Sequence, residues 1–181
     1  MLFKRNKIYN QHTKLILTFL VVCIVIGMAY AIYKTMTGTV VTMSKKIPMS
    51  YHTNIVKDTK ENTNFRKVLF TGEKSQLVVM SIPPGGDVGA EIHKYTEQTL
   101  FFLSGTGIGE LNGEKFPIGP GDVVVVVPGT LHNFINTGIE DLKIYTVYAP
   151  PNHIDGRIHK TQADAALDTA DEAVGETPPV K

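Results

Sequence analysis

The sequence predicts an all-β domain, a sandwich or barrel of short strands, preceded by one apolar helix. The strands are predicted because segments of about five to seven residues, rich in Val, Ile, Phe and Tyr, recur after residue 65 between Gly, Pro or Asn turns. The helix is predicted because residues 15–33 contain no charged side chain. A chain of 181 residues is long enough for one domain with an ordinary core and for appendages.

The apolar segment 15–33 predicts a transmembrane helix. Its nineteen residues are apolar on every side, and at 1.5 Å per residue they would span about 28 Å, close to the thickness of a bilayer's hydrocarbon layer. Basic residues precede the segment, so the positive-inside rule favours an N-terminus in the cytoplasm. The alternative is a signal peptide cleaved near Ala31, which would leave a secreted protein.

The net charge and the cysteine content limit the partners and the kinds of site that we expect for this chain. The net charge of +1 gives no reason to expect nucleic acid as a partner. The single cysteine, Cys23, lies in the apolar segment, which excludes a disulfide framework and a thiolate metal cluster. We divide the chain into a basic segment at 1–14, the transmembrane helix at 15–33, a linker at 34–50, a β domain at 51–160 and a flexible acidic tail at 161–181.

Within the β domain, the apolar pattern predicts eight strands. They cover residues 65–70, 76–82, 97–103, 107–111, 114–117, 122–127, 131–136 and 142–148. Asn112-Gly113 predicts a two-residue hairpin turn between two of them. The five valines at 123–127 cannot alternate with polar residues, so we expect that strand to be buried on both faces, where two sheets or two subunits pack. A homodimer is therefore expected. Residues 58–64 are predicted to be a loop, and residues 161–174 a marginal helix.

Four side chains in this domain can bind a metal ion. Glu91 and His93 lie two residues apart, and residues at that spacing in an extended chain project from one face. Gln98 follows after a short turn, and His132 comes from a strand far along the chain. Two imidazoles and a carboxylate form a facial set with open positions, which suits Fe(II), Mn(II), Ni(II) or Zn(II) and is unlike a closed structural zinc site.

The segments Gly86 to Gly105 and Gly121 to Asn136 resemble the two motifs of the cupin superfamily. More narrowly, residues 54–160 resemble small stand-alone cupin type-2 domains that carry labels such as mannose-6-phosphate-isomerase-like. The resemblance implies a double-stranded β-helix, or jelly-roll barrel, with a metal in its mouth. In the first motif Glu91 stands where the superfamily has a histidine, His93 holds the second histidine position, and Gln98 stands at the glutamate position. The second motif keeps Gly121, Gly129, His132 and Asn136, whereas Pro128 lies one residue late.

The fourth ligand position has an alternative occupant. Glu97 also fits the spacing that the first motif permits. Two arguments favour Gln98. Only from position 98 does the motif's spacing to its next glycine end on Gly105, and neighbouring residues of a strand face opposite sides, so 97 and 98 cannot both point inward. His153 and His159 lie in a predicted irregular arm, and we assign them surface or packing roles. The sequence thus predicts a membrane-tethered cupin that binds a divalent metal, a small sugar-like or carboxylate ligand, or both. The alternative is a metal-dependent isomerase or oxygenase, although the sequence shows no separate general acid or base.

Overall fold

The computed structural model describes residues 17–30 and 50–178. The chain divides into two compact units, Met1–Lys45 and Lys46–Lys181. In the first, helix α1 covers the described residues 17–30. The predicted basic segment at 1–14 and most of the predicted linker lie outside the described residues. The second unit begins before the predicted β domain, which starts at residue 51, and continues through the predicted tail.

Helix α1 does not bear out the predicted membrane span at 15–33. In the part of the chain that the structure describes, no helix is both long enough and apolar enough to cross a bilayer. The prediction of a single-pass membrane protein with a cytoplasmic N-terminus is therefore wrong. Ala31, the predicted position of an alternative signal-peptide cleavage, lies outside the described residues.

The second unit is built mainly from short antiparallel strands. Its elements are α2 (Ile55–Glu61), β1 (Arg66–Thr71), β2 (Gln76–Ile82), β3 (Glu91–Ile92), β4 (Glu97–Ser104), β5 (Gly107–Leu111), β6 (Glu114–Ile118), β7 (Val123–Val126), β8 (Leu131–Asn136), β9 (Leu142–Ala149), β10 (Ile158–His159), α3 (Gln162–Leu167) and α4 (Thr169–Gly175). All eight predicted strands are present, and their ends differ from the predicted ends by two residues at most. The all-β prediction is confirmed for this unit.

The strands form two sheets whose inner faces make one core. The larger sheet has the order β10-β1-β2-β9-β4-β7, and the smaller has the order β3-β8-β5-β6. Neighbouring elements in each sheet are often distant in sequence, which is the arrangement of a jelly roll. Alternate residues of each strand point inward, and Phe102 of the larger sheet contacts Phe134 of the smaller with ring centroids 5.4 Å apart. Both rings are almost fully buried.

The two turn residues explain why the β5–β6 hairpin could be predicted from the sequence. Asn112 and Gly113 both have positive φ, 51° and 89°, which is the backbone of the tight turn that connects twisted antiparallel strands. Leu111 and Glu114 are paired directly across it. Asparagine tolerates this conformation, and glycine adopts it without steric strain. The local sequence therefore specifies both the turn and the register of the hairpin.

The valine strand differs from its prediction. Val124 and Val126 are buried, but Val123, Val125 and Val127 are each about half exposed. The reason is that only one face of β7 meets the core, so alternate residues of the strand point away from it. The prediction that this strand is buried on both faces is therefore wrong for the single chain.

Two further segments also differ from their predictions. The predicted loop at 58–64 is partly helix α2, which begins after the N-cap Asn54, whose side chain accepts a hydrogen bond from the Lys57 amide at 3.1 Å. The segment predicted as a flexible tail contains α3 and α4, which agrees with the marginal helix predicted within it at 161–174. Thr161 begins α3 through a capping box with Asp164, and Asp171 of α4 is buried. These local caps and the ion pairs described below order residues that carry few large apolar side chains.

Asn136 joins two loops to the end of β8. Its side-chain Nδ2 donates to the carbonyls of Ile82 and Glu140, each at 2.8 Å, and its Oδ1 accepts from the Gly138 amide at 3.0 Å. The residue is fully buried, so no solvent can replace these bonds.

We therefore expect Asn136→Ala to lower the free energy of unfolding by about 2–4 kcal/mol, because buried backbone groups lose their partners. The measurement is urea unfolding followed by circular dichroism. Thr137→Ala, at the exposed neighbouring position, is the matched control and should be close to wild type. Equal stability of the two variants would contradict this role of Asn136.

Candidate metal centre

Three of the four predicted ligands converge at one end of the barrel. The pairing of β3 with β8 places Glu91 directly opposite His132. His93 follows β3, and its ring centroid lies 5.1 Å from that of His132. One ligand atom from each of these three residues lies within 4.8 Å of the other two, close enough to hold a single metal ion. Strand pairing thus brings together residues that lie about forty positions apart.

His132 is held in the tautomer that a metal requires. Its Nδ1 lies 3.0 Å from the carbonyl oxygen of Thr130. A carbonyl only accepts hydrogen bonds, so Nδ1 carries the proton and donates it. In the neutral imidazole the lone pair is then on Nε2, which is buried and has no hydrogen-bond partner among the described residues. Backbone carbonyls commonly orient metal-binding histidines in this way.

The unpartnered atoms of this region provide a test of whether the residues fit a metal. Glu91 Oε1, His93 Nε2 and His132 Nε2 are all buried, and none has a hydrogen-bond partner among the described residues. Leaving such atoms unpaired in an apolar interior is costly, and native proteins rarely do so. Here the same three residues converge, and all three offer lone pairs. A divalent cation satisfies all three at once, so the residues fit a metal ion.

Gln98 presents its amide from β4 in the same buried interior. The side chain is fully buried, and its Nε2 donates to the hydroxyl of Tyr148 at 2.9 Å. That bond directs the amide hydrogens to the tyrosine, and Oε1 is buried without a partner in the part of the chain that the structure describes. The alternative residue, Glu97, is exposed, because consecutive residues of β4 face opposite sides. The structure therefore places an amide oxygen, and not a second carboxylate, in the interior.

Burial also sets the charge of this site. Desolvation is the main cause that lowers the pKa of His93 to about 4; the Glu91 carboxylate opposes this shift, and the neighbouring His132 adds to it. His93 is consequently neutral at pH 7, which is the ligating form of histidine. Burial raises the pKa of Tyr148 well above its usual range, so its hydroxyl stays protonated beside Gln98.

A cavity of about 510 Å³ is lined by two of the three converging residues, Glu91 and His93. A segment that we call the C-terminal strap, residues 161–176, contributes further lining residues, among them Ala165 and Asp171. Arg66 and His153 are among the other polar residues of the wall. A pocket of this size fits a small organic molecule.

Sequence reasoning missed Arg66, His153 and Asp171 as parts of this wall. His153 was assigned a surface or packing role, yet it is buried, lines the cavity and lies 2.8 Å from Asp171. One signal could have indicated the contact. An acidic segment, residues 164–176, directly follows an arm that contains Arg157 and two histidines, and opposite charges at that spacing can pair when the chain folds back.

Comparisons with known proteins agree with the architecture. The profile of the cupin domain family Cupin_2 matches residues 78–148. The uncharacterized protein YrkC of Bacillus subtilis (strain 168) is 43% identical over 124 residues, which cover 65% of this chain and 67% of YrkC. The uncharacterized protein L612 of Acanthamoeba polyphaga mimivirus is 36% identical over 112 residues, covering 60% of this chain and 70% of L612. The crystal structure of BH2720 from Bacillus halodurans superposes with a TM-score of 0.64 at 37% identity, covering 66% of this chain and 95% of BH2720.

The lowered pKa of His93 predicts that acid destabilises the metal-free protein. The ordinary pKa is 6.5 and the folded value is about 4. Between these values the unfolded chain binds a proton that the folded chain does not, so stability falls as the pH falls through this window. From pH 7 to pH 5 we expect this histidine to contribute a loss of about 2 kcal/mol.

Urea unfolding of the metal-free wild type and of His93→Gln at both pH values checks this expectation. The stability of the variant should depend less on pH, because glutamine does not titrate. An identical pH dependence in the two proteins would show that His93 is not the group responsible.

Proposed function

This chain belongs to the cupin superfamily, and from that premise we propose that it binds a divalent metal ion in the mouth of its barrel and a small polar ligand beside it. The observation that carries the proposal is the convergence of Glu91, His93 and His132, whose inward-facing lone pairs have no other partner among the described residues. Gln98 supplies a further buried oxygen, which we assign as a weaker fourth ligand or as a hydrogen-bond acceptor for bound ligand.

The donor types indicate which ions are suitable. Two imidazoles and one carboxylate favour Fe(II), Mn(II), Ni(II) or Zn(II) over Ca²⁺ and Mg²⁺, which prefer oxygen-rich sites. The unit that carries the site contains no cysteine, since the one cysteine of the chain is Cys23 in the first unit. A bound ion with open positions acts as a Lewis acid that polarises an oxygen of the ligand.

The adjoining cavity supports a small, polar ligand. Its wall combines apolar side chains such as Val88 and Ala165 with the polar groups of Arg66, His153 and Gln162. This mixture, at about 510 Å³, suits a sugar-sized or carboxylate-sized molecule better than a lipid or a polymer. Within the superfamily we place the chain with the small domains labelled mannose-6-phosphate-isomerase-like, without taking over the reaction that the label suggests.

A metal-dependent enzyme of isomerase or oxygenase type is the second candidate function. One specific observation favours it. The same cavity contains His153, a buried histidine with a carboxylate partner, which is the arrangement of a general acid–base pair.

Metal content tests the first proposal directly. We expect the full-length wild type, purified after growth with transition metals, to contain one ion per chain by inductively coupled plasma mass spectrometry. His132→Ala should remove the ion, because two ligands cannot retain it. His52→Ala is the matched control, since His52 is exposed and far along the chain from the site, and it should keep the metal. Absence of metal from the wild type, or wild-type content in His132→Ala, would contradict the proposal.

We also propose that the chain forms a homodimer through the exposed face of β7. Val123, Val125 and Val127 present an apolar row on an edge strand, and edge strands are ordinarily protected from pairing by charge or by covering elements. Beside them, the rings of Phe101 and Tyr145 stack at 4.8 Å on the same sheet.

Val125→Lys should shift the protein from dimer to monomer, because it places a charge in the proposed interface. Size-exclusion chromatography with light scattering measures the mass. Val56→Lys, at an exposed valine of α2, is the control and should leave the mass unchanged. A monomeric wild type, or a dimeric Val125→Lys, would argue against this interface.

A further inference from the structure

Arg66 places a positive charge on the wall of the metal-site cavity. It belongs to β1, where it pairs with Met80 of β2 and His159 of β10, and its side chain lines the cavity together with Glu91 and His93. Only 9% of that side chain is exposed. A cation in such a place is costly unless acceptors surround it, so the contacts of each guanidinium nitrogen matter.

One side of the guanidinium has partners, but the contacts are long. Nη1 lies 3.8 Å from Oδ2 of Asp171 and 3.5 Å from Nδ1 of His153. Both oxygens of Asp171 have closer partners, because His153 Nδ1 lies 2.8 Å from Oδ2 and the Ile154 amide donates to Oδ1 at 2.7 Å. Asp171 therefore offsets the charge of Arg66 without making the two parallel hydrogen bonds that arginine forms with a well-matched carboxylate.

The other side of the guanidinium has no partner. Nε and Nη2 lie next to each other on this edge, and such an edge presents two parallel N–H donors to a carboxylate. Among the described residues neither nitrogen has a hydrogen-bond acceptor. Nε is fully buried, whereas Nη2 is not. Because Arg66 lines the cavity, a ligand can contact this edge through Nη2.

Attachment of the strap does not account for this free edge. The chain uses Arg157 for that contact, since its Nε lies 2.9 Å from Oδ2 of Asp168 and its Nη2 donates to Oδ1 at 3.4 Å. Arg157 is not among the described residues that line the cavity. Arg66 lies on the cavity wall and makes no such two-point contact, so its free edge is available to a ligand.

The charges of the wall suit a ligand with one negative charge. Two neutral imidazoles and the Glu91 carboxylate leave a bound divalent ion with one net positive charge. Arg66 and Asp171 offset each other. The other two acids of the described wall, Glu172 and Glu176, are exposed, so solvent screens them, and Glu176 is paired with a lysine at 3.0 Å. A monoanion therefore neutralises the interior of the site.

We propose that Arg66 determines the ligand class of this cavity by binding the carboxylate of a small hydroxy- or oxo-carboxylate. The carboxylate contacts the free guanidinium edge through Nη2, and the hydroxyl or carbonyl oxygen of the same molecule binds an open position of the metal ion. This inference rests on the proposed function, because the second oxygen of the ligand binds the proposed ion. In this role Arg66 binds and orients the ligand, and no bond is made or broken at it.

A carboxylate matches this edge better than a sugar or a phosphate ester does. A neutral sugar offers only hydroxyl acceptors, which bind a guanidinium less strongly than an anion does. A phosphate monoester carries between one and two negative charges at pH 7, about twice what the interior offsets. The planar carboxylate has the shape of the guanidinium edge and the single charge that the wall requires.

NMR titration of zinc-loaded full-length protein tests the ligand class. The probes are glycolate, β-hydroxybutyrate and γ-hydroxybutyrate, which place the hydroxyl at three distances from the carboxylate. Each is compared with its own amide, which keeps the hydroxyl but carries no charge. We expect at least one acid to bind about 10-fold or more tightly than its amide, because a hydrogen bond to a charged group is the stronger one. Equal affinities of all three acids and their amides, or tighter binding of inorganic phosphate than of every acid, would contradict the proposal.

Substitutions then test whether Arg66 is the residue responsible. Arg66→Gln should weaken binding of the preferred acid by about 10-fold or more and leave binding of its amide unchanged. Arg66→Lys keeps the charge but lacks the paired donors, so its affinity should lie between the two. Arg157→Gln is the matched control, because it removes an arginine that contacts the strap outside the cavity, and it should keep the wild-type preference for the acid. An equal loss in Arg66→Gln and Arg157→Gln would show that Arg66 acts only by holding the strap.

A second readout uses the wild-type protein and does not depend on the stability of Arg66→Gln. The side-chain Nε–H signal of Arg66 is identified in the nitrogen-15 spectrum by its absence from Arg66→Lys. It should shift when the preferred acid is added and stay in place with the amide, because only the acid brings an anionic oxygen to this edge. A signal that does not move at saturating acid would overturn the assignment.

Zinc content, measured on the same samples, separates this inference from the proposed function. If the wild type binds no zinc, the proposed metal site fails, and the Nε–H signal still decides whether Arg66 binds the acids. If zinc is bound stoichiometrically and no acid is preferred over its amide, the role of Arg66 fails and the metal site stands.

Discussion

The register between β3 and β8 is the constraint on which the rest of the site depends. Side chains alternate across a strand, so a slip of one residue would turn Glu91 or His132 away from the interior. Backbone bonds around the short β3 prevent such a slip. The Gly129 amide donates to the His93 carbonyl at 2.8 Å, and the Val88 amide donates to the Phe134 carbonyl at 3.0 Å. The backbone on both sides of β3 thus fixes this two-residue strand, and with it the positions of the candidate ligand atoms.

Electrostatic pairing closes the other side of the cavity. The C-terminal strap has little apolar surface of its own, and its order comes from carboxylates that meet buried partners. Asp168 pairs with His159 and Arg157, and Asp171 pairs with His153. Because both carboxylates are bound by groups from the barrel, the strap forms a wall of the cavity and carries Asp171 into it. The shape of the cavity therefore depends on these ion pairs.

Much of the fold was predictable, because its signals are local. Turn residues and apolar runs located all eight long strands, and residue spacing identified Glu91, His93 and His132. The predictions failed where the structure of a segment depends on the residues that it contacts. The valine strand is half exposed because only one of its faces meets the core. The apolar N-terminal segment predicted a membrane span that the described helix does not provide. Helix α2 depended on a cap, Asn54, inside a stretch whose composition is typical of loops.

The sequence by itself determined the strand pattern, the hairpin at Asn112-Gly113 and the donor types available for a metal, because periodicity, turn conformation and ligand chemistry are properties of a few adjacent residues. Tertiary structure alone decided that Glu91 faces His132, that Gln98 turns its oxygen inward, and that His153 and Asp171 meet on the cavity wall. Those facts depend on contacts between residues far apart in the chain. They are set by packing and by the pairing of buried polar groups, which no local pattern encodes.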